Sequence, residues 1–222
     1  MAPEFMQTTV QGVLLDRQLR LSSRASVPSP GGKTKGEDET LRIYGDVAVV
    51  AGRMIRDPER FMSGAYSRVW IRRTGVWLLA AVQFSTPNLV TAARPLVGPP
   101  AEPPPVPPEG KEVVSAIGQR FQSETVYDPV AYDRLTADDS LFIGPTAQFS
   151  VKTDRPMAFR ATPGSGGPPP IDDLRVHVYG DAAIATFERG GTRLLMVWTK
   201  RVGRWQVVHI HQTIIRIDTL TG

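Results

Sequence analysis

The chain contains no cysteine, and this absence excludes disulfides, thiolate nucleophiles and cysteine-ligated zinc. Only three of its 222 residues are histidine, which leaves little material for a histidine-rich metal site. No apolar run approaches the roughly 20 residues that a transmembrane helix needs. No basic run is interleaved with aromatic residues, as a nucleic-acid groove requires. We therefore expect neither a membrane partner nor a nucleic-acid partner.

What the sequence does contain is an internal repeat, the feature to look for first in any chain. The motif RIYGD at residues 42–46 is echoed by HVYGD at residues 177–181. The motif VWIRRTGVW at residues 69–77 is echoed by VWTKRVGRW at residues 197–205, with five of nine positions identical and all four tryptophans of the chain included. The repeat predicts two copies of one domain.

A proline-rich segment separates the two copies. Residues 87–111 contain nine of the chain's 20 prolines. Proline lacks an amide hydrogen and fixes φ, so this segment should be an extended polyproline II spacer. We predict a first domain at residues 1–88, a linker at residues 89–110 and a second domain at residues 111–222.

Hydrophobic periodicity predicts hairpins in both copies and helices only in the second. The predicted strands are residues 41–44, 47–53, 67–72 and 77–84, then 174–179, 182–187, 194–200 and 205–217. Residues 111–126 carry apolar side chains at helical spacing, and Pro129 opens a short second helix. The predicted order in the second copy is therefore two helices followed by a sheet.

Four segments of the second copy resemble the nuclear transport factor 2-like superfamily. They are YDPVAYDRL at residues 127–135, HVYGDAA at 177–183, VWTKR at 197–201 and GRWQVVHIH at 203–211. The resemblance is strongest to the SnoaL-like and calcium/calmodulin-dependent kinase II association-domain-like branches. It implies an α+β fold with two cone-like domains of curved antiparallel sheet, the second covered by its N-terminal helices. It says little about chemistry, because this fold hosts isomerases, dehydratases, transport adaptors and oligomerisation hubs.

The first copy departs from this pattern because it lacks the leading helices. Its APEF at residues 2–5 resembles ADDS at residues 137–140, the step that follows the helices in the second copy. We therefore expect the chain to start inside the first domain, the alternative being that MAPEFM is a tag remnant. Exposed apolar residues of the first sheet then need another cover. We hypothesise an internal pseudo-dimer, or a homodimer, formed through the sheet faces.

The histidine pair near the end of the chain is the main candidate for chemistry. Alternate residues of a strand share a face, so His209 and His211 are predicted to point the same way as Trp205 and Val207, into a pocket. The opposite face is predicted to form a sheet–sheet interface.

Three interpretations of the pair remain open. A metal site would need a third ligand such as His177 or Asp139. Acid–base catalysis would need a carboxylate in reach, with Asp139 and Asp154 available. The favoured interpretation is that both imidazoles are hydrogen-bonded pocket or core residues, and we predict neither a metal nor a cofactor.

The leading functional prediction is a small-molecule-binding or assembly module without catalysis. Its pocket would be lined by Tyr132, Arg189, Arg193, Trp198, His209 and His211. One alternative is a SnoaL-like or ketosteroid isomerase-like enzyme acting on a cyclic carbonyl compound, with His211 or Asp139 as proton shuttle. Another is protein–protein interaction through the exposed first sheet. Composition rich in arginine, alanine and proline indicates a bacterial source, and we expect a cytoplasmic location.

Overall fold

The computed structural model describes residues 1–26, 34–56, 64–87, 101–154 and 170–215. The first copy contains β1 (Met6–Thr8), β2 (Leu14–Asp16), α1 (Arg17–Ser26), β3 (Thr34–Tyr44), β4 (Val47–Arg56), β5 (Gly64–Arg73) and β6 (Val76–Ser85). The second copy contains α2 (Lys111–Thr125), α3 (Pro129–Leu135), β7 (Thr136–Ile143), β8 (Phe149–Val151), β9 (Asp172–Tyr179), β10 (Ala182–Arg189), β11 (Thr192–Arg201) and β12 (Arg204–Ile214). The predicted hairpins and both predicted helices are confirmed, whereas α1, β1, β2 and β8 were not predicted. None of the described helices is long and apolar enough to cross a bilayer.

The two sheets share one topology. Their strand orders are β2-β1-β6-β5-β4-β3 and β8-β7-β12-β11-β10-β9. The prediction of purely antiparallel sheets is wrong at one pair in each copy, because β1 runs parallel to β6 and β7 runs parallel to β12. These partners are joined by the whole intervening chain instead of a tight turn, so no hairpin imposes an antiparallel direction.

The register confirms the alignment of the two copies. Met6 pairs with Ala81, and Leu141 pairs with His209 at the equivalent position of the second sheet. This correspondence makes Ala2 the counterpart of Ala137, and both are buried. The similar residues 2–5 and 137–140 therefore occupy equivalent positions at the parallel strand of each sheet.

Local chemistry explains the main turns and helices. The β5–β6 and β11–β12 hairpins turn through Thr74-Gly75 and Val202-Gly203, with φ between 47° and 80° at all four residues. Two successive positive φ angles are the signature of the type I′ turn, whose twist suits a two-residue hairpin. In α3, the Asp128 carboxylate caps the helix by accepting from the Ala131 amide at 2.9 Å.

The sheets of the two copies pack against each other. One apolar cluster combines Val47, Val49, Val69 and Ile71 of the first sheet with Ile184, Leu195, Val197 and Val208 of the second. Polar contacts cross the same interface: the Thr213 hydroxyl donates to the Phe84 carbonyl at 2.7 Å, and Tyr179 donates to Glu4 at 2.6 Å. The described chain thus contains the paired sheets that an internal pseudo-dimer requires.

A second apolar cluster lies on the other side of the second sheet. Its helical members are Val113, Ala116, Ile117 and Phe121 of α2 and Leu135 of α3, and its strand members include Phe187, Trp198, Trp205, Val207 and Ile210. The α2 residues follow the i, i+3, i+4, i+8 spacing of an amphipathic helix.

The proline-rich segment is described from residue 101 onward. Residues 101–107 form neither helix nor strand, and Pro107 has φ −65° and ψ 154°, the polyproline II region. The Ala101 amide donates to Asp16 of the first copy at 3.3 Å, and its carbonyl accepts from Arg175 of the second. The rest of the predicted linker lies outside the described residues.

Candidate functional site

The histidine pair lies between the two sheets, so its predicted orientation is wrong. Trp205 and Val207 do face the helices. Val208 then has no counterpart on β11, because Trp198 pairs with Val207 while Val197 pairs with His209. A β-bulge of this kind adds one residue and reverses the alternation beyond it. His209 and His211 therefore face the first sheet instead of the side where Trp205 and Val207 lie.

Serine hydroxyls of the first sheet satisfy both imidazoles. Ser67 Oγ lies 2.8 Å from His209 Nε2 and 2.7 Å from His211 Nδ1, and Ser85 Oγ lies 3.0 Å from His211 Nε2. A hydroxyl has one proton, so Ser67 donates to one neutral imidazole and accepts from the other. Both histidines are buried.

Burial keeps this pair uncharged. Desolvation, with a smaller contribution from Arg42, lowers the pKa of His209 to about 3. Desolvation also lowers the pKa of His211 well below its usual value, and His209 adds to that effect. The contacts and the pKa directions both favour the interpretation of the imidazoles as hydrogen-bonded core residues.

The first copy carries glutamine at the position equivalent to His211. Gln83 Nε2 lies within hydrogen-bond distance of three acceptors of the second copy, which share its two N–H protons: the Arg193 carbonyl at 3.0 Å, the His211 carbonyl at 2.8 Å and Thr213 Oγ1 at 3.0 Å. Sequence reasoning missed Gln83 and Ser67. Both could have been noticed in the sequence, because each is a polar residue on an otherwise apolar face of its strand.

A cavity between the sheets that His177 lines is too small for an organic ligand. Its volume is about 10 Å³, and Tyr179 and Glu4 also line it. This volume is close to the minimum for one water molecule. Within the described ranges, no three histidine, aspartate or glutamate side chains come together as a metal ion would need.

Asp139, the second candidate for proton transfer, is engaged by arginines. Arg201 donates to both carboxylate oxygens, at 2.7 and 2.9 Å, and Arg42 donates to the Asp139 carbonyl. The hydrogen bonds from Arg201 are the main cause that lowers the pKa of Asp139. The structure thus places Asp139 in an ion pair near the first copy, and its described partners do not include His211.

Arg193 is also ion-paired. It contacts Asp173 at 2.5 Å and Glu188 at 2.9 Å, and its side chain is 8% exposed. Asp173 also pairs with Arg175 at 2.8 Å, so two carboxylates balance two guanidinium groups and the charge of Arg193 is already compensated.

The remaining candidates meet on the helix side of the second sheet. The Arg189 guanidinium lies 3.9 Å from the centre of the Phe121 ring. The Arg120 guanidinium lies 5.9 Å from that same centre and 5.0 Å from the centre of Tyr132. Trp198 belongs to the apolar cluster that contains Phe121. We call Arg120, Phe121, Tyr132 and Arg189 the arginine cluster.

The arginine cluster holds more positive than negative charge. Arg120 is 2% exposed and contacts Glu124 at 3.1 Å and the Tyr132 hydroxyl at 3.5 Å. Desolvation lowers the pKa of Arg189, Glu124 offsets part of this effect, and repulsion from Arg120 adds to it. The Nε atoms of both arginines are buried and have no hydrogen-bond partner in the part of the chain that is described.

Arg120 was missed at the sequence level, although a signal existed. It follows Ile117 by three residues and so lies on the apolar stripe of α2, where a charged residue is out of place.

A larger cavity is connected to this cluster through Phe142, and none of the four cluster residues lines it. Its volume is about 200 Å³, and its lining includes Phe142, Gln148, Ser150, Ile210 and Gln212. Arg120 lies 5.8 Å from the centre of the Phe142 ring. One aromatic side chain therefore contacts both the cavity and the arginine cluster.

Solved structures resemble about half of the chain. An NTF2-like protein from Cytophaga hutchinsonii is 20% identical, with a TM-score of 0.39, and the match covers 46% of this chain and 95% of that one. The association domain of C. elegans CaMKII is 20% identical, with a TM-score of 0.43, and the match covers 47% and 95%. An NTF2-like protein of unknown function from Pseudomonas putida is 22% identical, with a TM-score of 0.40, and the match covers 51% and 90%. No family model matches the chain, and no curated protein matches it in sequence. The matched structures bear the family name that the sequence resemblance predicted.

Proposed function

We propose that the chain is a non-catalytic binding module whose second copy holds a small carboxylate, or a similar anion, at Arg120 and Arg189. The observation that carries this proposal is the convergence of two guanidinium groups on Phe121 with one carboxylate, Glu124, beside them. Buried charge is costly unless it is paired. A bound anion would balance the second arginine.

The hydrogen-bonding capacity of the cluster supports the same ligand class. The Nε–H groups of Arg120 and Arg189, which have no hydrogen-bond partner among the described residues, are donors, and a guanidinium can bind a carboxylate through two parallel hydrogen bonds. Tyr132 adds a hydroxyl that contacts Arg120. Phe121 and Trp198 supply the apolar surface for the remainder of a small organic acid.

In this proposal, the cavity that Phe142 lines holds the remainder of the ligand. Its volume of about 200 Å³ lies below the roughly 300–1,000 Å³ of sites for drug-sized molecules. We therefore propose a carboxylate of a few carbon atoms instead of a polycyclic compound.

The remaining parts of the chain take structural roles in this proposal. The first domain is residues 1–88, the second is residues 111–222, and residues 89–110 connect them. Helices α2 and α3 form the cover of the second sheet and bring Arg120 and Tyr132 to the ligand. His209, His211 and Arg193 hold the two copies together.

The enzyme alternative has no comparable support. Acid–base catalysis needs a titratable group in reach of a substrate. His211 is enclosed by Ser67 and Ser85, and Asp139 is engaged by Arg201.

Calorimetric titration of the purified chain with acetate, glutarate and benzoate tests the proposal. We expect saturable binding of at least one of them. Arg189→Gln should weaken binding by roughly 10- to 100-fold, because a hydrogen bond to a charged group contributes about 1.5–3 kcal/mol.

Arg204→Gln is the matched control, since Arg204 is exposed on β12 and the charge change is identical. It should leave the affinity unchanged. The proposal fails if none of the three anions binds, or if Arg189→Gln binds them as tightly as the unsubstituted chain.

A further inference from the structure

The first sheet has a face that lies away from the second sheet. Val69 and Ile71 of β5 point into the inter-sheet cluster, so Trp70 and Arg72, which alternate with them, point to the other side. Cross-strand pairing puts Leu79 beside Trp70 and Trp77 beside Arg72. Leu41 and Ile43 of β3 continue this surface. We call these six residues the outer face.

On the equivalent face of the second sheet, buried side chains form a cluster with residues of α2 and α3. The counterparts of Trp70, Trp77 and Leu79 are Trp198, Trp205 and Val207, which cluster with α2 and α3. Trp205 is 7% exposed, whereas Trp77 is 37% exposed. Leu41 and Ile43 are 63% and 59% exposed. An apolar surface of this kind, with two tryptophans, is typical of an interaction site.

One contact in the second copy shows how a helix is recognised. Glu112 lies in the first turn of α2, and its Oε2 accepts from the Trp205 indole at 3.1 Å and from Lys200 Nζ at 2.9 Å. Lys200 also lies 5.9 Å from the centre of the Trp205 ring. The indole and the ammonium together bind one helical carboxylate.

The outer face has an equivalent indole and cation, Trp77 and Arg72, without the glutamate. Arg72 is the counterpart of Lys200, and its guanidinium lies 5.5 Å from the centre of the Trp77 ring. Asp46 is its ion-pair partner at 2.8 Å, and the Arg72 side chain remains 49% exposed. Arg72 can therefore donate to a second carboxylate in addition to Asp46, since a guanidinium has five N–H donors.

We propose that the outer face binds an amphipathic helix of a partner protein, with a glutamate in its first turn placed at Trp77 and Arg72. Apolar residues one, four, five and nine positions after that glutamate would pack on Trp70, Leu79, Leu41 and Ile43. This is the spacing of Val113, Ala116, Ile117 and Phe121 after Glu112. A second copy of the chain is not the occupant, because its α2 already contacts its own Trp205 and Lys200.

The probe for this proposal is an N-acetylated, fluorescein-labelled peptide with the sequence of residues 109–137, titrated with the full chain by fluorescence anisotropy. We expect saturable binding. Trp77→Ala should weaken it at least about tenfold, as expected for a tryptophan at the centre of an interface. Val202→Ser is the control, since Val202 is 98% exposed at the β11–β12 turn of the second copy, and it should leave the affinity unchanged.

A double-mutant cycle identifies the carboxylate contact. The peptide change Glu112→Gln and the protein change Trp77→Phe, which removes the indole N–H together with part of the ring, should each weaken binding about three- to tenfold. Their combined effect should be smaller than the product of the two, because both remove the same hydrogen bond. Independent effects would contradict the proposed register.

Two further outcomes would overturn the proposal. If Trp205→Phe alters the peptide affinity and Trp77→Phe does not, the peptide displaces α2 from the second copy instead of binding the first. If the peptide does not bind and the chain is a dimer that Leu41→Lys dissociates, measured by light scattering, the outer face is an interface between copies.

Discussion

At the scale of single residues, the interface between the sheets depends on uncharged polar side chains. Two imidazoles pair with the hydroxyls of Ser67 and Ser85, and the Gln83 amide nitrogen donates to the His211 carbonyl. An unpaired polar group in such a place would cost about 1–3 kcal/mol. The pairing of His209 and His211 with Ser67 therefore specifies which surfaces meet.

This arrangement makes stability depend on pH. His209 has a pKa of about 3 in the folded chain and about 6.5 when unfolded. Below pH 6.5 the unfolded chain takes up a proton that the folded chain does not, so stability is full above that pH and falls as the pH is lowered towards 3. Between pH 6.5 and pH 4.5 His209 should account for a loss of about 2 kcal/mol in the free energy of unfolding.

Urea denaturation at both pH values measures that loss. His209→Gln keeps a polar group near Ser67 but cannot titrate, so the variant should lose about 2 kcal/mol less than the unsubstituted chain over this range. Arg204→Gln, on the exposed start of the same strand, should lose as much as the unsubstituted chain. An unchanged pH dependence in His209→Gln would mean that the histidine is accessible to protons when folded.

At the scale of elements, a single extra residue in each long hairpin decides which side chains meet. Val208 is the extra residue of β12, and Ala80 occupies the same position in β6, between the pairs Val69–Ala81 and Trp70–Leu79. The tryptophans before the bulge face away from the interface, and the polar residues after it face into it. Because both copies have this bulge, β6 and β12 each contribute tryptophans to one face of their sheet and polar side chains to the interface between the sheets.

The hairpin tryptophans should differ in their contribution to stability. Trp205→Phe removes the hydrogen bond to Glu112 and part of a buried ring, and should lower the free energy of unfolding by at least about 1 kcal/mol. Trp77→Phe should change it by less than about 0.5 kcal/mol, because no hydrogen bond to the Trp77 indole is found among the described residues. Chemical denaturation of the two variants provides a matched comparison, and equal losses would contradict the assignment of Glu112 as the docking contact.

At the scale of the whole molecule, the two copies form one structural unit. Each contributes side chains to the inter-sheet cluster and to the polar network. The buried face of each sheet would therefore be exposed to solvent without the other sheet. The linker adds contacts to both copies through Ala101. A shared core of this kind favours cooperative unfolding.

We expect the chain to unfold in a single transition, with circular dichroism and tryptophan fluorescence giving the same midpoint. Leu195→Asp places an unpaired charge in the inter-sheet cluster, where Leu195 is 1% exposed. Hydrogen exchange should then rise in β5 and β6 as well as in β11 and β12. Faster exchange confined to the second copy, or two separate transitions, would show that the copies are independent.

The sequence by itself determined the elements and their repetition. Tryptophans, turn glycines and hydrophobic periodicity act over a few residues, so they predicted the hairpins, the helices α2 and α3, and the alignment of Ala2 with Ala137. They could not predict the parallel strand pairs or α1, which depend on contacts that are distant in sequence or on weak local signals.

Only the tertiary structure decided where the candidate chemistry lies. Period-two alternation placed His209 and His211 on the face of Trp205, and the bulge at Val208, which no local pattern marks, reversed that assignment. Arg120 and Arg189 come together because α2 packs on the end of β10, across about 70 residues of chain. Register and packing between distant segments are set by the sum of many contacts, and a single sequence does not display that sum.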